Sequence, residues 1–283
     1  MPKKKFKTPS HENDDLRIYE VKSELPPFEP NRPIDERLPQ PPFVLTMICK
    51  VRSGKSNLLC NLLLQENMYR DAFDMIYIIS PTIRMDRSSQ NYFKEEFEDK
   101  IIVFDDMERL EPFLKNIIEF QEGFDIKDPD NQPPKIALCF DDISGYLKRN
   151  SFISHIYSRY RHYGIMGIFT LNQTLKTLPA IVRSQSTDVI LSNCYNVTER
   201  EKILEEWGDT FKNHLESAWE IACKERFNFC FLRLATDPPE IHQFGKDGLI
   251  KIDYENLQTS DSKNMLYNNI KDNNNKLEDD DGL

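Results

Sequence analysis

Pro42-Phe-Val-Leu-Thr-Met-Ile-Cys-Lys-Val-Arg-Ser-Gly-Lys-Ser-Asn57 is the stretch whose reading decides the fold. Phe43 to Ile48 is an apolar, β-favouring run, and Leu58, Leu59, Leu62, Leu63 and Leu64 follow Asn57 in a helix-forming segment. The polar residues between them therefore form a strand-to-helix loop that ends in Gly54-Lys55-Ser56. A phosphate chain needs inward backbone N–H groups, a helix N-terminus with its partial positive charge, and one mobile ammonium. Cys49, Lys50, Val51, Arg52, Ser53, Gly54, Lys55, Ser56 and Asn57 can supply all three, with Lys55 giving the ammonium and Ser56 a hydroxyl for Mg²⁺. The pattern Gly-x-x-x-x-Gly-Lys-Ser/Thr has Cys49 at its first position, which requires ordinary backbone there because a Cβ penalises positive φ. A chance Gly-Lys-Ser at the start of an ordinary helix is the competing reading, so a second element has to decide.

Lys135-Ile-Ala-Leu-Cys-Phe-Asp-Asp142 is that element: a buried-type strand ending abruptly in two acids. A carboxylate at the tip of a strand beside a phosphate loop completes a nucleotide site, with Asp141 holding Mg²⁺ together with Ser56 and Asp142 polarising the attacking water. The sequence places the tips of the 43–48 and 135–142 strands side by side at the carboxyl edge of an α/β sheet, where ligands collect. Ile165 to Leu171 forms another buried strand, and Asn172-Gln173 at its end offers either a neutral contact to the γ-phosphate or a cap for the turn toward Pro179.

Between these markers the chain alternates. Met75 to Ser80 and Ile101 to Phe104 are strands, and the polar stretch with Tyr92, Phe93 and Phe97 reads as a helix. Leu110, Phe113, Leu114, Ile117 and Ile118 make a helical stripe within 107–122, and residues 150–163 form another helix, carrying Arg159, Arg161 and His162 toward its end. Asp188 to Ser192 is a strand, Leu204 to Trp219 repeats at helical spacing over one or two helices, and Phe227–Leu234 with Glu240–Phe244 forms a terminal strand pair. The fold expected is α/β: a mostly parallel central sheet flanked by helices on both faces, an arrangement that resembles P-loop NTPases of RecA/FtsK type.

Three segments follow. Residues 1–41 form an extended Pro-rich arm, since nine prolines between Pro2 and Pro42 forbid a regular helix or central strand. Residues 42–250 are the nucleotide-binding domain, and 251–283 a polar, acidic, disordered tail. Mean hydropathy of −0.60 and the lack of an apolar run near ~20 residues exclude a transmembrane segment, and the Lys-rich start lacks the apolar core of a secretory signal. Six cysteines without Cys-x-x-Cys spacing read as reduced thiols rather than a zinc site. Net charge is −10, yet Ile143 to Thr187 contains no acid and six cations: Lys148, Arg149, Arg159, Arg161, Lys176 and Arg183. Such a segment suits a polyanion, although burial of part of it would also deplete acids.

With Cys49–Ser56, Phe140-Asp-Asp142, Arg159-Tyr-Arg-His162 and Leu171-Asn-Gln173 in this order, the chain resembles the poxvirus-type genome-packaging ATPases of large DNA viruses and virophages, in the FtsK/HerA superfamily. The resemblance spans about residues 40–245. It implies ATP and Mg²⁺ as cofactors, Lys55 as the phosphate lysine, Ser56 and Asp141 as the Mg²⁺ pair, Asp142 as the water-orienting acid and Gln173 as the γ-phosphate sensor. Arg159, Arg161 or Arg183 becomes the arginine reaching a neighbouring subunit. Cys49 and Arg52 replace glycines at the first and fourth loop positions of the family, and Arg52 becomes a candidate cation over the phosphates. The implied activity is sequence-independent translocation of double-stranded DNA into a capsid by a homo-oligomeric ring, with capsid or vertex proteins as partners. The implied setting is the cytoplasmic viral factory of the host cell, with the virion and the nucleus as further places. An assembly scaffold with a degenerate, poorly hydrolysing loop is the alternative.

Overall fold

The computed structural model describes residues 29–83, 100–124, 128, 131–147, 151–194 and 196–257. The helix expected around Tyr92 and Phe97, the cations Lys148 and Arg149, most of the Pro-rich arm and residues 258–283 of the acidic tail lie outside them, while the first residues of the expected tail are ordered, with Ile252 ending a strand and Tyr254 buried in a 3-10 turn.

The strand that opens the domain is β1 (Phe43–Ile48), with all six residues buried. It leads through the loop into α1 (Lys55–Leu64), and then come β2 (Met75–Ile79), β3 (Ile101–Phe104) and α2 (Leu110–Glu122). α2 starts three residues later than the apolar stripe suggests, because Met107–Arg109 closes as a 3-10 turn and Pro112, which has no N–H to donate, sits in the first true helical turn. β4 (Ile136–Asp141), the short α3 (Ser144–Leu147) and α4 (Ser151–Arg159) follow. α4 ends at Arg159 rather than at residue 163. The chain turns there, with Tyr163 N–H donating to the Arg159 carbonyl and Gly164 in the left-handed region at φ 67°. β5 (Ile165–Asn172), α5 (Ala180–Gln185), β6 (Asp188–Leu191), α6 (Val197–Trp207) and α7 (Leu215–Ala222) complete the α/β part. Three strands rather than two close the chain: β7 (Phe229–Arg233), β8 (Glu240–Gly245) and β9 (Gly248–Ile252).

The nine strands form one sheet in the order β3-β2-β4-β5-β1-β6-β7-β8-β9. β3 through β6 pair in parallel, and β7, β8 and β9 add an antiparallel flank. The strands of the phosphate loop and of the two acids are therefore not side by side, as the sequence suggested: β5 runs between them, pairing Ile48 with Asn172 on one side and Asp141 with Leu171 on the other. Strands buried on both faces are uniformly apolar, so their lateral order is not written in any one of them.

Alternate residues of β1 feed two cores. Val44 and Ile48 pack with the helices α2, α4, α5, α6 and α7, while Phe43, Leu45 and Met47 pack with Leu58, Leu59, Leu62 and Leu63 of α1 and with Tyr69 and Phe73. On the second face Phe43 lies edge-on to Phe169 at 5.2 Å and directly over Gly167, where an added Cβ would come within 2.8 Å of the ring. The described end of the arm belongs to this core. Ile34 and Leu38 are buried, Tyr69 donates its hydroxyl to the Pro39 carbonyl, and Arg233 donates to the carbonyls of Glu36 and Leu38.

Candidate nucleotide site

The phosphate loop leaves the carboxyl tip of β1 and is fastened to both neighbouring strands. Cys49 N–H donates to the Asn172 carbonyl of β5 at 2.9 Å, and Lys50 N–H donates to Ser192 Oγ beyond β6 at 3.0 Å. Cys49 is fully buried, is absent from the left-handed residues and has its thiol pushed up to about 12 by burial, with Lys55 pulling the other way. It acts as a small apolar filler and not as a nucleophile. The second replacement is different. Arg52 takes φ 62°, a region glycine enters freely and a residue with a Cβ enters at a cost of about 1–2 kcal/mol. Its side chain is exposed, next to Val51 at 66% exposure. Gly54 follows at φ 94° and caps α1, its carbonyl taking the Leu58 N–H at 2.8 Å.

Lys55 Nζ lies 3.0 Å from Asp141 Oδ1 and 3.3 Å from Asp142 Oδ1. The loop and the Asp141-Asp142 pair thus meet across the tip of β5. The lysine side chain is 11% exposed and the two acids 16% and 34%. Burial alone would push the ammonium down, but the two carboxylates outweigh it and hold Lys55 above the ordinary amine range. Asp142 itself sits at φ 54°, so the chain bends sharply as it leaves β4 and turns the second acid toward the lysine.

One ammonium against two carboxylates leaves a net negative charge that a hard divalent cation complements. The oxygen donors at hand, the Ser56 hydroxyl and the Asp141 carboxylate, are of the type Mg²⁺ takes when phosphate oxygens and water complete its shell. No group of three or more His, Cys, Asp or Glu that could hold a metal ion occurs among the described residues. Ser53 Oγ is buried without a hydrogen-bond partner, a donor left over inside the loop.

β5 presents its amide pair between loop and acids. Asn172 is buried and braces the following turn, donating to the Thr174 carbonyl and Thr177 Oγ1 at 2.6 Å each, while Gln173 is exposed at the tip. The capping role open to either amide in the sequence belongs to Asn172. Glu199 of α6, which the motifs did not single out, accepts the Leu175 N–H and ties this turn to the helix layer.

The arginines lie elsewhere. Arg159 at the end of α4 and Arg161 and His162 in the turn after it are exposed just before β5, whose first residue Ile165 pairs with Ile136, the first residue of β4; they occupy the sheet edge opposite Lys55. Arg161 rests against Tyr160, donating Nε to its hydroxyl at 3.1 Å. Arg183 is ion-paired to Glu206 of α6. The acid-free segment is therefore not one face among the described residues: β5, inside it, is buried throughout, with Arg159 and Arg161 before it and Lys176 and Arg183 beyond it.

Phe227, expected at the start of a strand, stands instead in the turn before β7 at φ 68°. An added Cβ on Gly54 would lie 3.2 Å from its ring, so this aromatic abuts the phosphate loop.

A family model described as "Poxvirus A32 protein" matches residues 32–216. No curated protein matches the chain. Among solved structures, the chain is similar to B204, the DNA-packaging ATPase from Sulfolobus Turreted Icosahedral Virus, at 17% identity and TM-score 0.53, covering 72% of this chain and 98% of that one. It is also similar to the genome packaging NTPase B204 from Sulfolobus turreted icosahedral virus 2 in complex with sulfate, at 14% identity and TM-score 0.51, covering 71% and 95%. The same protein in complex with ATP-gammaS gives 15% identity and TM-score 0.50, covering 71% and 96%. These likenesses establish the P-loop ATPase fold.

Proposed function

Since the chain belongs to the Poxvirus A32 protein family, we propose that it is a viral genome-packaging ATPase that drives double-stranded DNA into a capsid as a ring of identical subunits. The observation that carries the reading is Lys55 held 3.0 Å from Asp141 and 3.3 Å from Asp142 across the tip of β5. A lysine poised on two acids at the carboxyl edge of a parallel sheet is set to exchange partners. When a triphosphate enters, Lys55 turns from the carboxylates to the phosphate oxygens, backbone N–H groups of the loop and of the first turn of α1 cradle the anion, and Asp142 is released to accept a proton from the attacking water. Ser56 and Asp141 would hold Mg²⁺, which when bound supplies charge neutralisation at the transferring phosphate. Gln173 contacts the γ-phosphate or the water from the tip of β5. Ser53 Oγ supplies a further donor.

The exposure of Arg159 and Arg161 at the opposite edge supports a role for them on a neighbouring subunit or on the DNA backbone. Arg183 is the weaker candidate, because Glu206 already engages it. Affinity for DNA rests on phosphate contacts and is sequence-independent. No described helix is long and apolar enough to cross a membrane. Capsid or vertex proteins complete the set of partners, and the viral factory in the host cytoplasm is the proposed place of action.

The test is phosphate release with and without double-stranded DNA, for wild type, Lys55→Ala and Asp142→Asn. The reading requires stimulation by DNA and its loss in both variants. Equal background rates in all three would favour a nucleotide-binding assembly scaffold, a reading that the strained Arg52 backbone keeps in view.

A further inference from the structure

A cavity of about 460 Å³ opens on the flank of the phosphate loop away from the two acids. Its walls come from residues 50–53 of the loop, from Ser192 and Asn193 beyond β6, and from the turn between α7 and β7. In that turn the Arg226 guanidinium lies over the Phe227 ring, 4.6 Å from its centroid. The ring is 52% exposed, and φ of 68° is a backbone region that a bulky side chain occupies only where its surroundings impose it. Strain of this kind, held in a residue that leaves half an aromatic ring in water beside Gly54, points to use rather than packing. Lys50, Arg52, Lys224 and Arg226 face this cavity against one acid, Glu225, which is engaged by Lys246 at 3.0 Å.

The direction of the bound chain follows from the site already built. Asp141 and Asp142 lie on the β4 side of Lys55, so the terminal phosphate and its metal lie there; the rest of a nucleotide must leave on the other side, toward β6 and β7, where the cavity is. We infer that the Arg226–Phe227 platform is the nucleoside subsite, on which the base of the bound triphosphate stacks, with Val51 as apolar wall and Lys50 and Arg52 near the α-phosphate. This inference rests on the nucleotide reading above and extends it to residues outside the phosphate motif. Recognition by stacking on an aromatic ring and a guanidinium plane tolerates any purine, because every base has a π-face.

The test separates base from phosphate by using two probes, ATP and inorganic tripolyphosphate, each titrated in the presence of Mg²⁺ against wild type, Phe227→Ala, Phe227→Trp, Arg226→Ala and Lys55→Ala of the full chain. Phe227→Ala should weaken ATP binding about tenfold and leave tripolyphosphate binding within twofold of wild type. Phe227→Trp should keep ATP affinity, and GTP should bind wild type within a few-fold of ATP. Unchanged ATP affinity in Phe227→Ala and Arg226→Ala overturns the subsite. An equal loss for ATP and tripolyphosphate in Phe227→Ala also overturns it, since the ring would then merely brace the loop through Gly54. Failure of the parent reading looks different: wild type and Lys55→Ala would bind tripolyphosphate equally weakly.

Discussion

Lys55 and Asp141 meet at 3.0 Å although their strands do not touch: β5 lies between β1 and β4, and the lysine crosses its tip to reach the acid. The contact neutralises charge that would otherwise sit mostly buried. Removing the ammonium has two separable effects. Lys55→Ala should slow phosphate release by at least ~100-fold, the scale for losing one preorganised cationic donor. It should also destabilise the fold by roughly 1–3 kcal/mol, because two carboxylates lose their counter-charge. Rate assays and denaturant midpoints read the two independently.

Arg52 and Cys49 both stand where glycine is usual, and they should respond oppositely to its restoration. Arg52→Gly relieves a left-handed backbone at φ 62° and should raise stability by about 1 kcal/mol. Cys49→Gly removes a buried side chain from ordinary backbone and should lower it. Arg52→Ala keeps the strain but loses the cation. If the guanidinium serves the phosphates, Arg52→Ala and Arg52→Gly lose the same fraction of turnover and only the glycine variant gains in thermal midpoint.

Gly167 has no room for a side chain beneath Phe43, whose ring would meet an added Cβ at 2.8 Å. Gly167→Ala should cost roughly 1–3 kcal/mol in a closely packed interior. Shrinking the ring in the double variant Gly167→Ala/Phe43→Leu should recover part of that loss relative to the sum of the single changes, a coupling that denaturant unfolding of the four proteins measures.

Asp188 begins β6 with its carboxylate 3.7 Å from Arg233 Nε. Burial pushes its pKa up from 3.8 to about 6, against the pull of the Thr187 hydrogen bond and of Arg233. The folded chain therefore keeps a proton that the unfolded chain releases between about pH 4 and pH 6. Stability from this group falls as pH rises through that window, is unaffected below it, and is fully reduced above it, by an amount of order 3 kcal/mol. Compared with wild type, Asp188→Asn should gain stability from about pH 4 to pH 6 and hold a constant advantage above that. Urea midpoints at four pH values would show a flat difference if the carboxyl titrates normally.

Glu199 accepts the backbone N–H of Leu175 just after Gln173. Glu199→Ala frees that turn and should lower turnover about tenfold while leaving ATP affinity near wild type, because Gln173 loses its placement and Lys55 does not. A parallel loss of affinity would show that the turn braces the phosphate loop instead.

The meeting of the loop with the two acids in the candidate site was legible in the sequence because its parts announce themselves locally. Gly54-Lys55-Ser56 after an apolar run and Asp141-Asp142 after another are strand ends, and strand ends share an edge in a parallel sheet. Helix limits were less legible, since Arg159 and Gly164 end α4 through turn hydrogen bonds that periodicity does not register. Arg226 and Phe227 were missed because a turn aromatic gives the same signal as the start of a strand.

The sequence by itself determined the alternation of strands and helices, the phosphate loop and the acids that answer it, because each depends on neighbours within a few residues. Only the tertiary structure decided that β5 separates β1 from β4, that Arg159 and Arg161 face away from Lys55, and that Phe227 reaches Gly54. Lateral strand order follows from which buried faces pack together across the sheet, and apolar strands of similar composition do not encode that choice one at a time.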